Sequence, residues 1–414
     1  MKSLKPVRGT HDVLPEEMLR HRHVESKMCE IASLYGYGEI STPIFEFTEV
    51  FARTLGDTSD VVTKEMYTFD DKGGDSITLR PENTAGVARA FISNGMTHSL
   101  PLKLFYRGPM FRYERPQKGR QRQFNQVGAE LIGAPRYLAD VEVVALADHF
   151  LDALGIKSKV TLEINTLGDS ESRMAYRGEL VEYLNGFKGK LSSDSLERLE
   201  KNPLRILDSK DQGDKSVVAG APLMADSLSD GSRKYFDDLL TGLESIGVTY
   251  RVNPKLVRGL DYYCHSIFEF TTDRLGAQGA VVAGGRYDGL IEQMGGPPTP
   301  GTGWAAGVER LAMLVDTPLN PPRPIVIVPV SDAQEKVALT ITQKLRRAGF
   351  TVELGFSGNM GKRMKRANRM GASAVVLLGE DEISRDAATV RNMESGEQVE
   401  VPLAVLEDHL SLYH

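Results

Sequence analysis

The sequence predicts an α+β protein: a sheet domain, interrupted by a helical insertion, precedes a smaller α/β domain. Three observations support this. Residues 102–132 are typical of two β-strands joined by a basic loop. Residues 170–249 are polar, punctuated by Ser and Asp, and typical of helices. After the proline-rich segment DTPLNPPRP at 316–324, strands and helices alternate, which indicates a mainly parallel sheet.

Length and composition indicate an ordinary globular protein of several domains. The 414 residues are too many for one core and suggest two or three domains. No run of about 18 apolar residues occurs, so we expect no membrane span. The N-terminus lacks the apolar stretch of a signal peptide, so we expect a cytoplasmic protein.

Cysteine and histidine usage predicts no metal centre formed by the protein alone. Cys29 and Cys264 are far apart, which implies neither a disulfide framework nor a cysteine-based metal site. The eight histidines form no H-E-x-x-H pattern, so we also expect no structural zinc.

Basic residues are concentrated in two short runs, although the net charge of −6 argues against a general nucleic-acid coat. One run is the loop at 115–122, and the other is GKRMKRANR at 361–369. Either run can bind RNA locally. For a basic run considered alone, a solvated helix face is the commoner explanation.

The N-terminal elements can be followed from their capping residues and prolines. A helix begins at Pro15, has acids in its first turn and ends before Gly36. The strand predicted at 39–47 contains Pro43, which removes a ladder donor and places the strand at an edge or junction. Such a helix and strand can form a dimer interface, but an ordinary edge strand explains the pattern equally.

A hairpin at 66–80 leads into a turn that carries Glu82. The strand stops before Pro81, and a helix begins near Ala85. A carboxylate on this turn can hold an ammonium group or simply cap the helix, and the sequence leaves both open.

One face of the strand Gln123–Ile132 has an unusual composition. Phe124, Gln126, Gly128, Glu130 and Ile132 alternate onto that face. The glycine would let a ligand lie close to the backbone, and the neighbouring loop cations suit phosphate. We therefore predict a polar small-molecule site beside a polyphosphate site.

Three arginines from distant segments lie near glycine-rich turns or the basic loop: Arg112, Arg258 and Arg310. An arginine in a helix, such as Arg310, is usually paired or extended to solvent, but its glycine-rich approach favours a ligand contact. The sequence contains neither G-x-x-x-x-G-K-[ST] nor a strand followed by G-x-G-x-x-G. Because these two phosphate-binding motifs are absent from the sequence, the remaining way to bind a polyphosphate is an antiparallel sheet with arginines directed at the phosphates.

Five segments resemble signatures of one enzyme family. FRYE at 111–114, with the basic loop and RQRQF at 120–124, resembles motif 2 of class II aminoacyl-tRNA synthetases. GVER at 307–310 resembles motif 3, and EISTPIFE at 39–46 resembles motif 1. TLRPENTA at 78–85 and RGLDYY at 258–263 are similar to the histidine-binding signatures of histidyl-tRNA synthetases. The combination of RGLDYY with the motif 2 loop is the most specific part of the match.

The resemblance implies a class II synthetase fold along the whole chain. Its catalytic domain would be an antiparallel six- or seven-stranded sheet with flanking helices, formed by residues 1–169 and 250–315. A helical insertion would occupy 170–249, a linker 316–324, and an α/β anticodon-binding domain 325–414. The resemblance also implies a homodimer that uses L-histidine, ATP with Mg²⁺ and tRNA(His), without a membrane.

The implied reaction has two steps. Histidine attacks the α-phosphate of ATP to give histidyl-adenylate and pyrophosphate, and the histidyl group then passes to the terminal adenosine of tRNA with release of AMP. Fixed guanidinium groups would stabilise the charge that gathers on phosphate oxygens. The nucleophile is an already ionised carboxylate, so no general base is needed.

Family roles transfer to matching positions. Arg112 and Arg258 would be catalytic at the α-phosphate, and Arg112 would also contact the histidine carboxylate. The other ATP contacts would be Glu114 at the adenine amino group, Phe124 stacked on the base, and Arg120 and Arg310 at the γ-phosphate.

Histidine itself would be bound by a second set of matching positions. The α-amino group would meet Glu82, Thr84 and Gln126, and the imidazole would meet Glu130, Tyr263 and Tyr287. Asn83, Arg112, Arg258 and Tyr262 complete the implied histidine site. A site with two partners for the imidazole nitrogens would reject apolar amino acids, by about 10⁴-fold or more.

The implied tRNA acceptor contacts lie in the basic loop: Arg115, Gln117, Lys118 and Arg122. One position departs from the family pattern, since Asn83 stands where we expect glycine. Asn tolerates a left-handed turn, so we expect the site to survive.

Three alternatives fit parts of the sequence. A regulatory subunit of ATP phosphoribosyltransferase would share the catalytic fold, but should lack RGLDYY, the basic motif 2 loop and the segment after Pro324. A class II synthetase for proline, threonine or glycine would lack RGLDYY. An RNA-binding module would explain the basic runs but not the polar strand face.

Overall fold

The computed structural model describes residues 4–55, 61–116, 119–260, 262–276, 279–317, 319 and 321–413. The chain divides into two compact units, Met1–Thr317 and Pro318–His414. Among the helices in the described ranges, none combines the length and the apolar character needed to cross a membrane.

The strands of the described residues form three sheets. In chain order they are β1 Gly38–Glu39, β2 Phe45–Phe47, β3 Tyr67–Asp70, β4 Ser76–Leu79, β5 Leu102–Phe111, β6 Gln123–Ile132, β7 Thr161–Thr166, β8 Arg251–Val252, β9 Cys264–Thr271, β10 Ala280–Arg286, β11 Gly301–Gly307, β12 Ile325–Pro329, β13 Val352–Leu354, β14 Ala374–Leu378, β15 Ala387–Asn392 and β16 Gln398–Pro402.

The α-helices flank these sheets or fill the segment between β7 and β8. In chain order they are α1 Pro15–Leu34, α2 Thr48–Leu55, α3 Thr84–Ser93, α4 Tyr137–Ala153, α5 Ser170–Asn185, α6 Ser193–Lys201, α7 Gln212–Val218, α8 Asp230–Ser245, α9 Leu290–Gln293, α10 Val308–Ala312, α11 Glu335–Arg347, α12 Met360–Arg369, α13 Glu380–Ser384 and α14 Leu406–Leu410.

The largest sheet has eight strands in the order β1-β5-β6-β11-β10-β9-β7-β8. The six central strands pair antiparallel. The two-residue strands β1 and β8 are added at the edges by parallel pairing. The α+β class is therefore confirmed, and the sheet is one strand larger than the upper expectation because of these short edge strands.

The prediction of a single strand at 39–47 is wrong, because the chain forms two strands there. β1 joins the large sheet and β2 joins the separate sheet β2-β4-β3. Pro43 lies between them. Proline has no amide hydrogen for a ladder, so the chain changes sheets at this point.

Strand β5 contains Gly108 and Pro109 and continues through both residues. Gly108 has a φ of +152°, and an added Cβ would lie 2.5 Å from Nη2 of Arg80. The buried Arg80 donates from Nε to the carbonyl oxygen of Pro109 at 2.9 Å. The side chain of Arg80, the residue after β4, thus stabilises this irregular point of β5.

The two faces of the large sheet contact different cores. Val127, Ala129 and Leu131 of β6 pack in one core with α1 and α4. Ile132 of β6 packs on the opposite face with Tyr106 and with residues of α3, α5 and the insertion. The alternation predicted for β6 is present, and its polar face looks toward the insertion.

The second unit contains a five-stranded sheet in the order β13-β12-β14-β15-β16. The first three strands pair in parallel and the last two antiparallel. The basic run lies on α12, where Arg363 is buried and donates to the carbonyl oxygen of Pro329. The remaining cations of this helix, Lys362, Lys365, Arg366 and Arg369, are exposed.

Candidate active site

A cavity of about 940 Å³ opens on the polar face of the large sheet, within the first unit. Seven of the ten residues predicted to bind histidine line it: Glu82, Thr84, Arg112, Gln126, Arg258, Tyr262 and Tyr263. The four further residues predicted to bind ATP line it as well: Glu114, Arg120, Phe124 and Arg310. The fold thus brings together side chains from five separate segments.

Glu82 caps helix α3 and faces the cavity. Its two carboxylate oxygens accept from the backbone amides of Thr84 at 2.9 Å and Ala85 at 2.8 Å. Burial raises the pKa of Glu82, while these two amide donors oppose the shift. Each oxygen keeps a further lone pair, so the capping and ammonium-binding interpretations are compatible.

Glu130 lies behind the cavity lining and is fully buried. Its carboxyl accepts from the Thr84 hydroxyl at 2.6 Å and from the Tyr287 hydroxyl at 2.6 Å. Burial raises the pKa of Glu130 to about 8, and those two donors partly oppose the shift. Three segments distant in sequence therefore share one dry hydrogen-bond cluster.

Glycines of β11 make room for this cluster. An added Cβ at Gly303 would overlap Oε2 of Glu130, and one at Gly301 would lie 2.2 Å from the ring of Tyr287. A side chain at either position would displace the polar group from the sheet surface. The glycine-rich start of β11 thus permits a carboxyl and a phenol to lie flat on the backbone.

The expectation that Gly128 opens space for a ligand is wrong. An added Cβ at Gly128 would lie 2.4 Å from the hydroxyl of Tyr106, which is 1% exposed. The strand face is therefore divided: Phe124 and Gln126 line the cavity, whereas a tyrosine from β5 covers the part beyond them. The sequence pattern on one strand did not reveal a side chain arriving from its neighbour.

Gln126, Tyr262 and Tyr263 add polar and aromatic groups to the cavity lining. Oε1 of Gln126 is buried and has no hydrogen-bond partner among the described residues, so it can accept from a ligand donor. The rings of Tyr262 and Tyr263 lie 4.6 Å apart, and Tyr262 meets the ring of Tyr287 edge-on at 5.9 Å. Burial raises the pKa of both Tyr262 and Tyr263, so their phenols stay neutral donors.

Arg112, Glu114 and Arg120 form an ionic cluster in the cavity lining. Nε of Arg112 donates to the carbonyl oxygen of Pro81 at 2.8 Å. Glu114 bridges the two arginines, 2.9 Å from Nη1 of Arg120 and 3.7 Å from Nη1 of Arg112. The Arg112 guanidinium also lies 5.4 Å from the ring centre of Phe124.

Arg310 adds a second cation beside Arg120. Burial lowers the pKa of the Arg310 guanidinium, and the positive charge of Arg120 lowers it further. Gly119 has a φ of +71°, and an added Cβ there would lie 3.2 Å from Cγ of Arg310. The basic loop thus packs directly on this arginine at Gly119. Two neighbouring cations in a cleft are typical of a phosphate site.

Arg258 pairs with a residue that sequence reasoning missed. Its Nη1 contacts the carboxylate of Glu269 on β9, and its guanidinium lies 5.5 Å from the ring centre of Tyr263. Its buried Nε has no hydrogen-bond partner in the described part of the chain. Glu269 lies between Phe268 and Phe270 in sequence, and a charge inside an apolar strand was the available signal.

The helical insertion also reaches the cavity, which the sequence did not indicate. The guanidinium of Arg205 lies so close to Gly259 that an added Cβ would be 2.8 Å from its Nη1. Other insertion residues line the cavity: Ser192, Asp194, Arg198, Asp208 and Lys210.

The side chain of Asn83, which was predicted to bind histidine, does not face the cavity. It is buried, and its Oδ1 accepts from the Thr42 hydroxyl at 2.6 Å and from Nη1 of Arg80 at 3.4 Å. Its side chain is absent from the lining of the described cavity. The backbone at Asn83 has a φ of −118°, so no left-handed turn is needed there.

The predicted tRNA-binding residues of the basic loop have different environments. Arg115 is exposed, whereas Gln117 and Lys118 lie outside the described residues. Arg122 stacks 3.7 Å from the ring centre of Tyr113, and its Nε donates to the carbonyl oxygen of Glu114 at 3.3 Å. Arg122 thus holds the loop together through contacts within the protein.

Comparison with known proteins assigns both units. A family model for histidyl-tRNA synthetase matches residues 9–311, and one for an anticodon binding domain matches residues 324–411. The chain is 60% identical to a histidine–tRNA ligase of Rhodospirillum rubrum over 414 residues, covering 100% of both chains. It is 54% identical to one of Gluconacetobacter diazotrophicus over 411 residues, covering 99% of each.

A solved structure gives the same result. The chain superimposes on the apo histidyl-tRNA synthetase of S. aureus with a TM-score of 0.83 and 35% identity, covering 98% of this chain and 99% of that one. The match therefore extends over the insertion and the C-terminal unit as well as over the sheet.

Proposed function

Because the chain belongs to the histidyl-tRNA synthetase family and ligates histidine to tRNA through an adenylate, we propose that its cavity divides this reaction between two ends. The amino-acid end consists of Glu82, Thr84, Gln126 and the buried tyrosines. The nucleotide end consists of the arginines and Glu114. The juxtaposition of the two ends in one cavity carries the proposal.

At the nucleotide end, phosphate oxygens replace the acids that now pair with arginines. Arg258 and Arg112 bind at the α-phosphate, and their fixed charges stabilise the transition state as negative charge develops there. Arg120 and Arg310 hold the γ-phosphate. Glu114, once released from Arg120, accepts from the adenine amino group, and Phe124 stacks on the base.

At the amino-acid end, the histidine ammonium group lies between Glu82 and the unpartnered Oε1 of Gln126. Arg112 meets the carboxylate. The imidazole donates to Glu130 and accepts from Tyr263, with Tyr287 holding Glu130. Since the Thr84 hydroxyl now donates to Oε1 of Glu130, the imidazole replaces this donor as it binds.

ATP enters this site as its Mg²⁺ complex. Glu269 and Glu309 line the cavity and provide carboxylate oxygens of the kind that Mg²⁺ prefers. The metal would neutralise phosphate charge when bound. Arginines from four segments carry the rest of that task, since Arg112, Arg120, Arg258 and Arg310 all line the cavity.

Pyrophosphate exchange with each amino acid in turn tests the proposed site. Only histidine should support exchange, because only it fills both the ammonium and the imidazole positions. Exchange that depends on a different amino acid would reject the assignment of the amino-acid end.

The C-terminal unit is proposed to bind the anticodon arm of tRNA(His), and the exposed arginine and lysine residues of α12 are the candidate contacts. Among the described residues of the basic loop, Arg115 is exposed and can reach the tRNA acceptor end. The linker 316–324 separates this domain from a catalytic domain formed by 1–169 and 250–315.

Removing residues after Asp316 should leave histidine-dependent pyrophosphate exchange intact and weaken aminoacylation of tRNA. The physical reason is that each unit has its own core. If the truncated protein charged tRNA as well as the full chain, the assignment of 325–414 would be wrong.

The sheet β2-β4-β3 supports a homodimer. Phe45, Phe47 and Phe69 are 56%, 59% and 49% exposed, whereas Glu46 and Thr78 are buried on its other face. This pattern is the reverse of an ordinary solvent-facing sheet, and an apolar face of this kind marks an interaction surface. We assign it to a second copy of the chain, in keeping with the motif 1 resemblance at 39–46.

Sedimentation velocity tests the dimer. Phe47→Asp should shift the protein from dimer to monomer, because a charge would be buried in the interface. Phe356→Asp is the matched control, since Phe356 is 68% exposed on the C-terminal unit and should leave the dimer intact. A monomeric wild type, or a dimeric Phe47→Asp variant, would contradict the assignment.

The enzyme is proposed to work in the cytoplasm, where charged tRNA is used.

A further inference from the structure

A cluster of three possible metal ligands lies outside the roles described above. A ring nitrogen of His265, Sγ of Cys264 and a carboxylate oxygen of Asp288 lie within 4.8 Å of one another. From these atoms we propose that Cys264, His265 and Asp288 form a binding site for a borderline divalent cation such as Zn²⁺.

An irregularity in β9 creates this arrangement. Neighbouring residues of a regular strand point to opposite faces, so Cys264 and His265 should diverge. The pairing of β9 with β10 shifts between Gly285 and Arg286, and His265 has a left-handed φ of 45°. This bulge turns two adjacent ligand-type side chains toward the same point, next to Asp288.

The backbone of the bulge is held in place. The amide of His265 donates to the carbonyl oxygen of Gly168 at 2.9 Å, and the carbonyl oxygen of His265 accepts from Leu167 at 2.7 Å. Nδ1 of His265 is buried and has no hydrogen-bond partner among the described residues. An imidazole that is fixed in position but unsatisfied at one nitrogen is suited to a ligand.

The donor set selects the kind of cation. Zn²⁺ binds thiolate, imidazole and carboxylate ligands, whereas Mg²⁺ prefers oxygen ligands alone. The amide of Asp288 donates to Sγ of Cys264 at 3.4 Å, which orients the sulfur beside the carboxylate. The side chain of Asp288 is 35% exposed, so a cation can enter there and keep a water as its fourth ligand.

Three features oppose binding and set its strength. Burial raises the pKa of the Cys264 thiol to about 12, so a bound metal would have to displace its proton. Arg286 donates to Asp288 at 3.0 Å, but Asp140 neutralises Arg286 at the same distance. Zinc would draw the ligand atoms together by up to about 1 Å, since Zn–S and Zn–N bonds are about 2.3 and 2.1 Å long. The exposed Asp288 can supply this movement. Binding would release the thiol proton to solvent.

Cobalt titration of the full-length protein tests the site, because Co²⁺ substitutes for Zn²⁺ and gives a thiolate charge-transfer band. We expect the band to saturate at one Co²⁺ per chain and to disappear when Zn²⁺ is added. Cys264→Ser should abolish the band. Cys29→Ser is the matched control and should keep it, because Cys29 lies on α1.

His265→Asn provides a second variant if Cys264→Ser fails to fold. Asn tolerates the left-handed backbone, so the bulge should persist while Co²⁺ binds about tenfold or more weakly. The proposal is overturned if excess Co²⁺ produces no band in the wild type, if the band survives in Cys264→Ser, or if it is lost in Cys29→Ser. None of these outcomes depends on the roles assigned to histidine and ATP.

Discussion

The two ends proposed for the active-site cavity are built on different physical principles. At the amino-acid end, Glu82 and Glu130 are buried, and both oxygens of each accept hydrogen bonds within the protein. At the nucleotide end, Arg120 and Arg258 are paired with the acids Glu114 and Glu269. One end is preorganised by neutral donors, and the other by ion pairs that a substrate can exchange.

This difference suggests how binding and chemistry are divided. Buried, satisfied groups recognise one ligand, because any other ligand leaves them unpaired. Arginines held by acids remain oriented before ATP arrives, so they stabilise the developing charge with little reorganisation. Changes at the nucleotide end should therefore affect kcat, and changes at the amino-acid end should affect the KM for histidine.

The largest effect is expected for Arg258→Ala. Loss of this guanidinium at the α-phosphate should slow histidyl-adenylate formation by about 10²–10³-fold in single-turnover assays. Arg251→Ala is the matched control, since Arg251 also pairs with a carboxylate of the same sheet, that of Glu163. An adenylation rate that stays at the wild-type level in Arg258→Ala would break the comparison.

A smaller effect is expected for Glu82→Gln. Losing the charge that faces the histidine ammonium group should raise the KM for histidine by about tenfold or more, with a smaller change in kcat. Steady-state pyrophosphate exchange measures both constants. Asp169→Asn controls for helix capping, because Asp169 caps α5 by accepting from the amide of Ser172 at 2.8 Å. If both variants raised the KM equally, Glu82 would be only a cap.

The smallest effect is expected for the pH dependence of stability, through Glu130. The pKa of Glu130 is about 8 in the folded protein, against an ordinary value of 4.5. Between these values the unfolded chain is ionised while the folded carboxyl keeps its proton. Unfolding then releases a proton, so stability falls as pH rises through this window.

Thermal unfolding without substrates measures this contribution. The midpoint of the wild type should fall more steeply over that pH range than the midpoint of Glu130→Gln, by a few degrees. About 1 kcal/mol shifts the midpoint of a large domain by about 2–4 °C. Parallel curves for the two proteins would mean that the buried Glu130 is ionised in the folded protein.

Much of the local structure followed from the sequence. Helix α1 and strand β6 have their predicted limits, because Pro15, the glycines after α1 and strict alternation are local signals. The motifs around Arg112, Arg258 and Arg310 predicted side chains that indeed share one cavity. Local patterns succeed where a residue's role depends on its neighbours in the chain.

The errors occurred where a neighbour in space decided the outcome. Tyr106 covers Gly128 from the adjacent strand, and the side chain of Asn83 bonds to Thr42 rather than facing the cavity. Glu269 became visible only as the partner of Arg258. None of these contacts leaves a periodic signal in the sequence.

The sequence by itself determined the fold class, the order of elements and the chemical types available at the site. Tertiary structure decided which of these groups meet, which are buried and which are already satisfied. The cluster of Cys264, His265 and Asp288 illustrates the reason, because strand alternation argued against it and a bulge fixed by Gly168 produced it. Side-chain direction at an irregular backbone depends on contacts that only the folded chain supplies.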